Sequence, residues 1–145
     1  MRGRGRTAFL LTSLMVCQLI VASAHAAQQH PLECPAQAPA EWGLTKPAPL
    51  DQVAVLFQPA GTSIDDHSPP SLVPDRGFAR GSVWRNIWLM GDEPGWSHFV
   101  DCRFRGSERV LRLKADGLKQ CEQTARPYSA KGGVGDNAVQ TMKCD

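Results

Sequence analysis

Apolar and polar residues alternate most regularly in the second half of the chain, and the alternation predicts strands rather than helices. Residues 96–105 and 108–115 flank Gly106-Ser107, a two-residue turn with glycine first, as a type II′ hairpin prefers. A loop of that length sets the register. Arg105 faces Glu108, Cys102 faces Leu111 and Val100 faces Leu113, which puts Trp96, His98, Val100, Cys102, Leu111 and Leu113 on one face. The opposite face then carries Asp101 against Arg112, Phe99 against Lys114 and Arg103 against Val110. Charge pairing and hydrophobicity agree on this one register.

Residues 81–90 set Val83, Ile87 and Leu89 against Trp84, Trp88 and Met90. Only Arg85 and Asn86 interrupt the two apolar faces, which predicts a central strand covered on both sides. The turn-rich run 91–95 follows. Residues 118–124 and 138–144 read as two more strands, separated by the mobile glycine-rich loop 131–135. In the first half only 52–58 alternates, with Val53, Val55 and Phe57 on one face, and Pro59-Ala60-Gly61 ends it. Residues 63–74 read as a long loop, and nine of the eleven prolines lie between Pro31 and Pro74. No repeat, heptad or amphipathic helix stands out. The expected fold is mainly β: a small antiparallel sheet curled into a sandwich or partly open barrel, with a Pro-rich, irregular N-terminal half (27–75).

The first twenty-six residues follow a different pattern. Arg2, Arg4 and Arg6 precede a mostly apolar run from residue 8 to 21, and Ala24-His25-Ala26 offers a small-x-small cleavage site. This is the pattern of a secretory signal peptide (1–26), cleaved after Ala26. The run is shorter than the roughly 20 residues of a spanning helix, and Thr12, Ser13 and Gln18 interrupt it. Cys17 lies inside the run after Val16, which does not fit a lipid anchor, and the head lacks an arginine pair for the twin-arginine route. Removing the segment takes three arginines and no acid. The 16 basic and 14 acidic residues become 13 and 14, and the formal charge falls from +2 to −1. A nucleic-acid partner thereby loses its main electrostatic attraction. The remaining 119 residues make one domain (27–145), soluble and outside any membrane.

Export changes how the cysteines read. Cys34, Cys102, Cys121 and Cys144 allow three pairings in an oxidising compartment. Adjacent C-terminal strands favour Cys121 with Cys144, leaving Cys34 to tie the Pro-rich segment to Cys102; Cys102 with Cys121 is the competing choice. No two are spaced as CxxC, so the expectation is disulfides with no metal and no cofactor.

His98 lies four strand residues from Cys102, too far for a Cys–His nucleophile pair, and reads as a histidine at the core edge. The consecutive run Asp65-Asp66-His67 could serve as acid, base or ligand, but consecutive loop residues hold a metal poorly without further ligands. The glycines at 132, 133 and 135 neither follow a strand nor open a helix, so they form no phosphate cradle. Arg103, Arg105, Arg112 and Lys114 share the outer side of the hairpin, with Arg109 at its turn; they could dock an acidic protein or anionic polymer, or simply solvate the sheet. Of Trp42, Trp84, Trp88 and Trp96, most belong in the core, and one or two exposed beside a cleft would point to sugar or peptide binding.

One wider pattern joins these features. Cys34-Pro35 after the signal, Leu56, Leu72-Val73-Pro74-Asp75, Trp88-x-Met90, Cys102-Arg103-Phe104, Leu113, Cys121 and the terminal Cys144 follow in order. The chain resembles a family of small secreted proteobacterial proteins of uncharacterised function. The resemblance implies a periplasmic location and supplies no catalytic residue. The expected role is a non-enzymatic domain recognising another envelope protein, in the manner of an inhibitor or immunity factor. Its contacts would come from the basic hairpin face or from Asp65, Asp66 and His67. The alternatives are a small hydrolase using that loop and a structural envelope component.

Overall fold

The computed structural model describes residues 31–63 and 69–145. The signal-like segment and Asp65, Asp66 and His67 lie outside the described residues. Among the described residues eight strands follow in order: β1 (Leu32–Glu33), β2 (Leu50–Pro59), β3 (Arg76–Arg80), β4 (Val83–Leu89), β5 (Trp96–Phe104), β6 (Val110–Lys114), β7 (Gln120–Ser129) and β8 (Gly133–Cys144). They form two antiparallel sheets, one in the order β1-β8-β7-β4-β3 and the other β2-β5-β6. The chain is a β-sandwich, not a closed barrel. Its one helical element among the described residues is a 3-10 turn, Ala40–Trp42, ended by Gly43 in the left-handed region.

Both sheets contribute to one core. Val55, Val100, Cys102 and Phe104 come from the smaller sheet, and Trp88, Cys121, Met142 and Cys144 from the larger. Cys34 bonds to Cys102 and so ties the start of the described chain across the sandwich. Cys121 bonds to Cys144, its direct partner in the β7–β8 register. The neighbouring Gln120 and Asp145 exchange backbone hydrogen bonds, which makes the cysteines a non-hydrogen-bonded pair, whose side chains stand closest. The indole of Trp88 donates to the Leu72 carbonyl at 3.0 Å, which fixes the 69–75 segment over the core.

The β5–β6 register is the one the alternation predicts, from Phe99 against Lys114 to Arg103 against Val110. Its turn differs. Pairing stops at Arg103, and the Ser107 amide donates to the Phe104 carbonyl, so Arg105 and Gly106 are the central residues, with Gly106 at φ 75°. Glycine therefore stands second, not first. The cause is competition for Arg105: its amide donates to Pro49 and its guanidinium holds Asp51, so it continues the β2 edge instead of facing Glu108.

Three further expectations change. The strand at 81–90 is central, lying between β3 and β7, but its outer face is open, with Leu89 half exposed; only one sheet packs against it. The glycine-rich run is no mobile loop: β8 begins at Gly133, which pairs with Ser129 while Val134 pairs with Tyr128. β7 reaches that far because its proline, Pro127, sits where the register shifts, a position that asks for no ladder donor. Finally, β3 occupies residues 76–80, to which the sequence pattern assigned no element. Among the described residues it pairs along one side only, from Arg76 against Ile87 to Arg80 against Val83.

Candidate functional site

The hairpin cations are mostly engaged. Arg112 grips Asp101 with Nε at 2.6 Å and Nη2 at 2.8 Å, and Asp101 is almost wholly buried. Lys114 pairs with Asp116 at 3.2 Å. Arg105 pairs with Asp51 and also donates to Asn137 at 3.1 Å. Arg109 lies 4.6 Å from the Trp42 ring centre, a cation–π contact. Arg103 is exposed. This face is half closed as well, since Leu56, Gln58 and Phe99 are buried beside Asp101.

His98 lines a 330 Å³ corner with Trp96, Glu93 and Asp116. The Asp116 carboxylate accepts the His98 amide at 2.6 Å and the Ser97 hydroxyl at 3.3 Å. Burial opposes its charge, but the His98 amide, the Lys114 ammonium and the Ser97 hydroxyl outweigh burial, so Asp116 titrates below the ordinary aspartate range. Its oxygens are committed to holding the loop. A second cleft, of 380 Å³, lies on the outer face of the larger sheet, where Lys143 bonds Glu33 at 2.7 Å.

The sheets are unequal, and that inequality exposes the most distinctive surface. The three-stranded sheet covers the part of the larger sheet that carries Trp88, Cys121, Met142 and Cys144. The β3–β4 side extends beyond it. There Trp84, Asn86, Gln123 and Tyr128 are half-buried, while Gly77 and Ala79 of β3 are exposed. Strand alternation puts Ala79 beside Trp84, and Asn86 beside both Gly77 and Gln123, on this inner face.

A chain of hydrogen bonds crosses the overhang. Trp84 Nε1 donates to Asn86 Oδ1 at 3.0 Å, Asn86 Nδ2 to Gln123 Oε1 at 2.9 Å, and Gln123 Nε2 to Gln140 Oε1 at 2.7 Å. Gln140 Nε2 in turn donates to the Asp51 carbonyl of β2, so the ladder ends by joining the two sheets. Trp84 also meets Tyr128, with ring centroids 5.1 Å apart and 33° between the planes. A Cβ at position 77 would come within 3.0 Å of Asn86 Oδ1 and 3.1 Å of the Trp84 ring. Glycine there lets both side chains lie down against β3.

The outer side of the same strands is cationic. Arg76, Phe78 and Arg80 alternate along β3 on this side, and Arg126 stands on β7. All four are exposed, and among the described residues none of the three arginines is ion-paired, whereas Arg85 between them is held by Glu122 at 2.9 Å.

The sequence reading weighed Trp84 only as one of the four tryptophans, and it missed Asn86, Tyr128, Gln123, Gln140 and the β3 residues as site candidates. The available signal was Trp84-x-Asn86, an aromatic and an amide two apart on one face of a strand. Of the four tryptophans, only Trp88 is fully buried; Trp96 is 40% exposed and packs on Phe57. Compared with known proteins, the chain matches no family model, no curated protein and no solved structure.

Proposed function

We propose that this chain is an exported periplasmic domain that works by binding, recognising another envelope protein in the manner of an inhibitor or immunity factor. The two disulfides fit an oxidising compartment outside the cytoplasm, and the signal-like N-terminus supplies a route there. Among the described residues no helix is long and apolar enough to cross a membrane.

The observation that carries the reading is β3. It is an edge strand of five exposed residues, pairing among the described residues with β4 alone. Such an edge offers unpaired backbone donors and acceptors to an extended segment of a partner. Arg76, Phe78 and Arg80 point to one side, so the matching segment carries acids at two alternate positions with an apolar residue between them. A second copy of β3 does not match. Antiparallel self-pairing about Phe78 would set Arg76 against Arg80 twice, and like charges directly opposite are destabilising.

The test is affinity capture from a periplasmic extract with oxidised wild-type protein and an Arg76→Glu/Arg80→Glu variant, read by mass spectrometry. A stoichiometric partner retained by wild type and lost by the variant supports the reading. No partner across several growth conditions, or one that the charge-reversed edge holds equally well, overturns it.

A further inference from the structure

The inner face of the overhang carries rings and carboxamides that docking along the β3 edge does not use. We propose that this face is a saccharide-binding site, taking an uncharged sugar chain against Trp84 and Tyr128 with its hydroxyl or acetamido groups on Asn86 and Gln123. The inference goes beyond the protein-docking reading and does not depend on it.

The chemistry of the face selects the ligand. Gly77, Ala79, Trp84, Asn86, Gln123 and Gln140 include no charged group, although 21% of the chain is charged. The free arginines of this region lie on the opposite side of the sheet. An anionic polymer would find no cation here. A purely apolar ligand would strip water from the carboxamides and give nothing back. A pyranose presents a C–H face that suits the electron-rich face of an indole or phenol, and a rim of hydroxyls that both donate and accept.

The ladder prepares the carboxamides for that rim. Asn86 and Gln123 each give one N–H and accept one hydrogen bond within the ladder. Each keeps a second N–H and a second lone pair. Because both are already held by neighbours, binding costs little additional side-chain ordering. Gly77 keeps the floor low enough for the ring and the amide to lie flat.

The experiment is saturation-transfer NMR on the oxidised protein with millimolar chitotetraose, and with cellotetraose as a second probe. Saturation should pass from the aromatic resonances to sugar ring protons. Trp84→Leu should weaken binding roughly tenfold or more, as should Ala79→Glu, which sets a carboxylate beside the indole at an exposed position. Trp96→Ala, remote from the ladder, should bind as wild type does. Ala79→Glu alters no buried group, so it keeps the test valid if the tryptophan variant fails to fold. Binding of both sugars supports the site, and binding of chitotetraose alone supports it with the acetamido group as the recognised element. Saturation reaching neither sugar from folded wild-type protein overturns the proposal, as does undiminished binding by Ala79→Glu.

Discussion

Asp101 and Arg112 form a bidentate ion pair across β5 and β6 in which the two partners differ in burial: the carboxylate side chain is 2% exposed and the guanidinium side chain 23%. The asymmetry determines which loss is worse. Arg112→Met strands a carboxylate that has no route to water, at a cost of about 3–5 kcal/mol. Asp101→Asn leaves an arginine that can shift its charged end outward along its flexible stem, and the cost falls to about 1–2 kcal/mol. Urea unfolding of the two variants should show the arginine replacement to be the more damaging, and equal losses would contradict the burial difference.

The disulfides close loops of different length, with sequence separations of 68 and 23. On chain-entropy grounds the Cys34–Cys102 bridge contributes about 4 kcal/mol and the Cys121–Cys144 bridge about 3 kcal/mol. The first also joins the two sheets, while the second reinforces strands already paired. Replacing Cys34 and Cys102 together by alanine should therefore lower the melting temperature more than replacing Cys121 and Cys144.

Asp116 gives the acid limb a specific contributor. Its carboxyl titrates below the ordinary value of 3.8, because hydrogen bonds and Lys114 outweigh its burial. The folded state therefore holds its proton less firmly than the unfolded state. The resulting stabilisation is fully present above pH 3.8 and is lost as pH falls through the lower folded value. Asp116→Asn should be less stable than wild type by a constant margin between about pH 5 and pH 8, and the margin should close in more acidic solution. A margin that persists unchanged through the acid range would assign the effect to packing.

Arg76 and Arg80 also guard the β3 edge. Charged residues on an unpaired strand keep it from joining its own kind. Arg76→Thr/Arg80→Thr removes the repulsion and keeps strand propensity, so the variant should self-associate as its concentration rises while wild type stays monomeric along this edge. Sedimentation velocity across a concentration series would show it; an unchanged sedimentation coefficient would remove the gatekeeper role.

The sequence was most legible where short-range order sets the geometry. The β5–β6 hairpin has one register that satisfies Asp101, Arg112 and the buried Val100 and Cys102 at once, and it is the observed one. The favoured cysteine pairing is the observed one: adjacency of the C-terminal strands points to Cys121 with Cys144, which leaves Cys34 for Cys102. The turn itself was misread because Arg105 is drawn to Pro49 and Asp51, far away in sequence. β3 was missed for a related reason: an exposed edge strand buries neither face, so it carries no alternation to read. The ladder was harder still. Asn86 meets Gln123, and Gln123 meets Gln140, only through pairings of β4, β7 and β8 that no local pattern fixes.

The connectivity of the bridges has a consequence for biogenesis. Among the described residues, and numbered in chain order, the four cysteines join first to second and third to fourth. A polypeptide threaded through a translocon N-terminus first presents Cys34, then Cys102, and only afterwards Cys121 and Cys144. An oxidase that links thiols in the order of their arrival therefore produces the native pairs directly. If the chain is exported as proposed, its maturation can proceed on oxidation alone, with no bond to be reshuffled and no isomerase required.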